Sequence, residues 1–200
     1  TDPYYYQVYA LGEWGVLGKT IFNAQIVNER INQLRYQKPI KTGFFIFDYQ
    51  NDKIVDETIR WIDDENGYIR IYEEPMNRYP YAMGGDTAGD GSDYFSGHVI
   101  NNITKKQVAV LHQQFDEDLY TRQMYCLGRH FNWALAGIET NFSTFPTKEL
   151  QRLGYKNMYV REVPDTYTGA VQKKFGFMTT GMTRPLIVAE LVKIVREHPE

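Results

Sequence analysis

One cysteine, Cys126, is the only thiol in the 200 residues. A lone thiol excludes an internal disulfide and any site built from several cysteines. It falls in a helix-like stretch and reads as a small core residue, which suits a reducing compartment. No apolar run reaches the ~20 residues that cross a bilayer. No secretory leader is recognisable either. The expectation is a protein that is neither secreted nor membrane-bound. The chain opens on Thr1-Asp2-Pro3, without a methionine, and is expected to be a piece of something longer.

A phosphate loop is also lacking. Gly18-Lys19-Thr20 looks like the end of one, but the motif needs a glycine five positions before Gly18, where Glu13 stands. A turn is the better reading. There is no internal repeat and no low-complexity tract. The formal net charge of −3 lacks the basic excess that would mark the whole chain as coating nucleic acid.

What is present is ordinary globular composition, 42% hydrophobic and 24% charged, enough for one domain with a sizeable core and an extra arm. The charge is segregated. Residues 52–93 hold eleven acids against four bases, whereas residues 148–184 hold seven bases against three acids. Such a split suits a site that holds cations beside a surface that holds an anion.

Residues 1–47 read as an aromatic-rich arm with a polar helix near 23–36, then a strand in GFFIFDYQ. Residues 52–64 read as a short helix and 68–74 as a strand. From residue 79 the pattern predicts three strands (81–86, 94–103 and 107–115) in an antiparallel meander. A helix follows over 117–131, capped by Asp116, with Leu119, Met124, Leu127 and Phe131 facing inward. Then come an apolar strand at 133–138, a helix at 146–153 closed by Gly154, a strand at 158–163, a loop at 164–180 and a helix at 185–196. This order predicts an α/β fold, a ribonuclease H-like mixed sheet flanked by helices, with its site at the strand ends.

Two strand ends carry acids. Asp86 closes a buried strand in YAMGGDTAGDGSD, where four glycines and three aspartates follow one another from Gly84 to Asp93. Glu139 closes WALAGI. A carboxylate at the end of a buried strand is costly unless a partner offsets its desolvation, and a hard cation such as Mg²⁺ does so through oxygen ligands. If the two strands are parallel neighbours, the carboxylates meet, and their repulsion raises a pKa or recruits a metal. Asp86 can equally cap a glycine turn, and Glu139 can pair with an arginine. Asp93 is a further candidate ligand, with Asp90 behind it. His98 and His112 read as structural, and His130 as lying on an exposed helix face. Lys173, Lys174 and Arg184 flank the loop at 164–180 and are candidates for neutralising phosphates, or simply solvated charge.

These residues carry a resemblance. The stretch from Ile71 to His112, WALAGIETN, and the segment Phe177-Met178-Thr179-Thr180 through Pro185 resemble the motifs of the nuclease domain of the large terminase subunit of tailed bacteriophages and prophages. YYYQVYALGEWGVLGKTIF is similar to the segment that joins the ATPase motor of such subunits to the nuclease. The resemblance implies residues 1–64 as a linking arm and 65–200 as a ribonuclease H-like nuclease domain, incomplete at its C-terminus.

It also implies an endonuclease that cuts concatemeric double-stranded viral DNA with two Mg²⁺ or Mn²⁺ ions. Asp86 matches the first metal ligand and Glu139 the second. The third ligand is expected beyond residue 200. The implied partners are double-stranded DNA, the small terminase subunit and the portal, in the cytoplasm of a bacterial host. Two other readings stay open at this point. Gly85-Asp86-Thr87 also resembles the phosphate loop of actin-like phosphotransferases, and loss of the third carboxylate would leave a non-catalytic DNA-docking fragment.

Overall fold

The computed structural model describes residues 21–87, 93–165 and 169–197. They divide into two compact units, one over residues 39–179 and one made of the chain up to residue 38 and from residue 180.

The larger unit is built on a mixed sheet of seven strands: β1 (Lys41–Ile46), β4 (Arg60–Asp63), β5 (Ile69–Ile71), β6 (Tyr81–Asp86), β7 (Phe95–Asn101), β8 (Gln107–Gln113) and β9 (Leu135–Ile138). Their order is β4-β1-β5-β8-β7-β6-β9. All pairings are antiparallel except β6 with β9, which is parallel. The meander β6-β7-β8 is as expected from the alternation. Its second turn is held by Asn101, whose buried side chain accepts the N–H groups of Ile103 at 2.9 Å and Thr104 at 3.2 Å. β1 and β4 extend this same sheet beyond β5.

Two helices cover one face. Asp116 caps α2 (Glu117–His130) by accepting the Leu119 N–H at 2.7 Å. Acids in its first turn and Arg129 and His130 in its last suit the helix dipole. Tyr120, Met124, Leu127 and Phe131 recur at helical spacing and are fully buried. Burial of such a side chain is worth about 2 kcal/mol. Leu119, expected inward, is 37% exposed because its neighbour Tyr120 takes the inward position. Helix α3 (Phe145–Leu153) packs beside α2 and ends on Gly154, whose φ of 84° is one that glycine adopts without strain.

Three local expectations are corrected. Residues 52–64 are not a helix. They form β3 (Lys53–Ile54), paired with β2 (Tyr49–Gln50), a single 3₁₀ turn, and then β4. Tertiary contacts override the helical spacing there: Trp61 sets its ring edge-on to Phe45 at 5.1 Å, and Arg152 from α3 donates to the Asp52 carbonyl and the Tyr49 hydroxyl while paired to Glu149. Residues 164–180 are not simply a loop, since β10 (Val160–Pro164) and β11 (Val171–Phe175) form an antiparallel hairpin. His130 is not on an open face. It is half-buried, 5.7 Å from the Phe45 ring and 3.2 Å from a Glu74 oxygen, and burial lowers its pKa.

The smaller unit holds α1 (Ala24–Leu34) and α4 (Thr183–Glu197), which touch one another. Asn23 caps α1 by accepting the N–H groups of Gln25 and Ile26. Thr180 and Thr183 exchange backbone-to-side-chain hydrogen bonds at the start of α4. No helix among the described residues is long and apolar enough to cross a membrane.

One buried polar residue ties helix to sheet. β5 pairs with β1 only from Lys41 to Gly43, which leaves the Phe45 backbone unpaired on that side. Gln123 of α2, 1% exposed, accepts the Phe45 N–H at 3.0 Å and donates to the Phe45 carbonyl at 2.8 Å. Gln123→Leu leaves both groups without partners, at about 1–3 kcal/mol each. Urea unfolding is expected to show a loss of about 2–5 kcal/mol.

Candidate functional site

β6 and β9 run side by side with Met83 opposite Ala136, Gly84 opposite Gly137 and Gly85 opposite Ile138. The Glu139 N–H donates to the Gly85 carbonyl at 2.8 Å, so the pairing reaches one residue beyond the strand. Asp86 and Glu139 are therefore neighbours, close enough for each carboxyl to act on the other.

Strand alternation puts both on the sheet face opposite α2. Met83 and Ile138 are buried beneath the helices, and a Cβ on Gly85 would meet the Tyr120 hydroxyl at 2.3 Å. A Cβ on Gly97, the cross-strand partner of Gly85, would meet the Met124 sulfur at 2.4 Å. These two glycines let α2 sit close to the sheet. Gly84 is different: among the described residues a Cβ there would meet nothing within 4 Å. The run of glycines before Asp86 thus divides by face, Gly85 for packing and Gly84 beside open space.

Desolvation raises the Asp86 pKa, and the hydrogen bond and charge of Glu139 raise it further, while the Thr87 N–H bonded to its carboxylate works the other way. Tyr120, fully buried, donates its hydroxyl to the Ser96 carbonyl at 2.9 Å, and burial together with the Asp86 charge keeps that phenol protonated. Two carboxyls in this relation are relieved by a shared proton or by a cation. Their oxygens suit a hard divalent ion.

The outer side of Glu139 is also braced. It bridges to Phe177, and Thr140 takes the Phe177 carbonyl with its N–H at 2.8 Å and its hydroxyl at 2.9 Å. Asn141 exchanges two hydrogen bonds with the Thr179 backbone, at 2.7 and 2.8 Å. Gly176 permits this approach. Its φ is 83°, and a Cβ there would stand 2.6 Å from Thr140 and 2.9 Å from the Ile138 carbonyl. These contacts give Thr140 and Asn141 of WALAGIETN a supporting role that spacing alone did not reveal.

The other candidates lie as follows. Asp93 is exposed, three positions before Ser96, the residue paired with Asp86. Among the described residues no third acid, histidine or cysteine completes a metal-holding group. Asp90 lies outside the described residues. Lys173 and Lys174 are exposed on β11, and Arg184 belongs to α4 in the smaller unit. His98 bonds Gln107 at 3.1 Å, and His112 stacks on Tyr94 at 4.7 Å, in keeping with structural roles.

No known family profile and no curated protein matches the chain. Solved structures do. The crystal structure of the large terminase nuclease from thermophilic phage G20c matches with a TM-score of 0.51 and 13% identity, over 68% of this chain and 64% of that one. Its magnesium-bound and cobalt-bound forms each match with a TM-score of 0.52 and 12% identity, over the same shares. The fold is similar to that of these large terminase nucleases, a ribonuclease H-like mixed sheet with helices. At this level of identity the likeness is one of fold, and the present chain spans 64% of the structures it matches.

The raised Asp86 pKa has a consequence for stability. A carboxyl whose folded pKa lies above its unfolded one supports the fold below its usual range, and that support is lost as pH rises through the raised value. In EDTA, Asp86→Asn is therefore expected to melt higher than wild type at neutral pH. The gap should close as pH falls below the usual carboxylate range, which a series of melting curves from pH 3.5 to 8 would read.

Proposed function

We propose that this chain is the nuclease part of a viral DNA-packaging terminase, cutting concatemeric double-stranded DNA with the help of divalent cations. The observation that carries the reading is the Asp86–Glu139 pair at adjacent ends of two parallel strands on a ribonuclease H-like sheet. Mutual repulsion, oxygen donors and an open face beside Gly84 all fit a divalent ion there. The magnesium- and cobalt-bound forms of the phage G20c nuclease support the same choice.

Asp86, on the inner strand, and Glu139 would hold the ions, two Mg²⁺ or Mn²⁺ in this reading. When bound, such ions supply an activated water and stabilise the leaving oxygen of a phosphodiester. The chain itself holds Asp86 in place through the pairing of β6 with β7, and Glu139 through the Gly85 carbonyl and the bridge to Phe177. Lys173, Lys174 and Arg184 are assigned to the phosphate backbone, and Asp93 stays a weaker candidate for the ions.

In this reading residues 1–64 link to an ATPase motor, their strands β1 and β4 extending the nuclease sheet. The small terminase subunit and the portal are the expected partners in the bacterial cytoplasm. Plasmid nicking with Mn²⁺ tests the assignment. Asp86→Ala and Glu139→Ala are each expected to lower nicking by more than ~100-fold and to abolish the Mn²⁺-induced rise in melting temperature. Equal nicking by wild type and Asp86→Ala would remove Asp86 from the site.

A further inference from the structure

The β10–β11 hairpin sorts its charges by face. Glu162 stands opposite Lys173, opposite charges that share a face without closing into an ion pair, whereas Arg161 stands opposite Lys174, a like-charge pair. Residues directly opposite in an antiparallel pair share a face and are close, so like charges there oppose the pairing. Among the described residues no carboxylate forms an ion pair with Arg161 or Lys174.

A second observation is independent of the register. Arg161 lies against the segment that follows Glu139. Its guanidinium reaches the Thr140 hydroxyl and the Met178 sulfur, each at 3.4 Å, both neutral acceptors and the first a long contact. Its buried Nε has no hydrogen-bond partner. A guanidinium has five N–H donors in a fork suited to phosphate. Here that guanidinium is held against Thr140, the residue after Glu139, with only neutral partners for its two terminal nitrogens, beside a second cation without an ion-pair partner.

We infer that Arg161 and Lys174 form a phosphate clamp, binding a phosphodiester of the nucleic-acid strand next to the link that the Asp86–Glu139 site cuts. The inference rests on the nuclease reading and adds to it Arg161, which the charge count alone did not single out, and a reason to separate Lys174 from Lys173. The clamp supplies affinity and position, without base specificity.

The test is the salt dependence of binding to a fluorescein-labelled 30-base-pair duplex in EDTA. Each lost phosphate contact makes the slope of log K against log salt shallower by about 0.9. Arg161→Met and Lys174→Met are each expected to show that change, and the double variant about twice it. All should keep the wild-type Mn²⁺ shift in melting temperature. Lys156→Met is the control, because Lys156 lies over the Trp133 ring and its loss removes one charge of the same sign from the same unit. A wild-type slope in Lys174→Met, or an equal change in Lys156→Met, overturns the clamp. Because Lys174 is exposed, its variant tests the clamp even if Arg161→Met folds poorly. Mn²⁺-dependent nicking by the wild type, read alongside, separates the two failures. Nicking with unchanged slopes overturns the clamp alone, and a wild type that neither binds nor nicks DNA overturns both.

Discussion

The parallel pairing of β6 with β9 forces two carboxyl groups together, and the rest of the larger unit is arranged around keeping that pairing. Repulsion between two unit charges about 4 Å apart is on the order of 4 kcal/mol at an effective dielectric of ~20, and smaller where water reaches, as it does at Asp86. Against it stands the apolar inner face. Tyr81 and Met83 of β6 and Ala136 and Ile138 of β9 are all buried beneath the helices. A one-residue slip of either strand would turn these side chains outward and a carboxylate inward. Several buried side chains at about 2 kcal/mol each outweigh the repulsion. The hydrophobic face sets the register, and the charged contact on the other face is its consequence.

The two faces of the sheet make opposite demands, and the glycines show how adjacent positions meet them. Gly85 and Gly97 are filled from the helix side by Tyr120 and Met124. Gly84 and Gly137 lie opposite each other on the carboxylate face and meet almost nothing, the nearest atom to a Cβ on Gly137 being the Tyr159 Cβ at 3.8 Å. Glycine weakens a strand by roughly 0.5–1 kcal/mol relative to alanine. On the packed face closer helix packing offsets that cost. On the open face no packing among the described residues does, and space over Gly84 is what a ligand beside Asp86 would need.

Much of this was legible in the chain because it is local. The alternation in 81–113, the Asp116 cap and the Gly154 stop each follow from a few neighbouring residues, and the structure holds them close to where they were read. The Asp86–Glu139 neighbourhood was legible for a different reason: two apolar strands, each ending on an acid, leave few arrangements that bury both. The misread parts depend on distant partners. Residues 52–64 carry helical spacing, yet Phe45 and Arg152 hold them as strand and turn. His130 looked exposed because its cover, Phe45 and Glu74, comes from far earlier in the chain.

Charge was the property hardest to read along the chain, and the hairpin shows why. The basic excess of residues 148–184 counts Lys173 and Lys174 alike. Their neighbours across the hairpin separate them, since an acid, Glu162, stands opposite one and a base, Arg161, opposite the other. A cation answered by a carboxylate contributes little field at a distance, whereas two unanswered cations on one face focus it. A chain of net charge −3 can therefore present a locally positive surface to a polyanion. What decides is the register of two short strands, which fixes the spacing between opposite charges and is invisible to any sum over the segment.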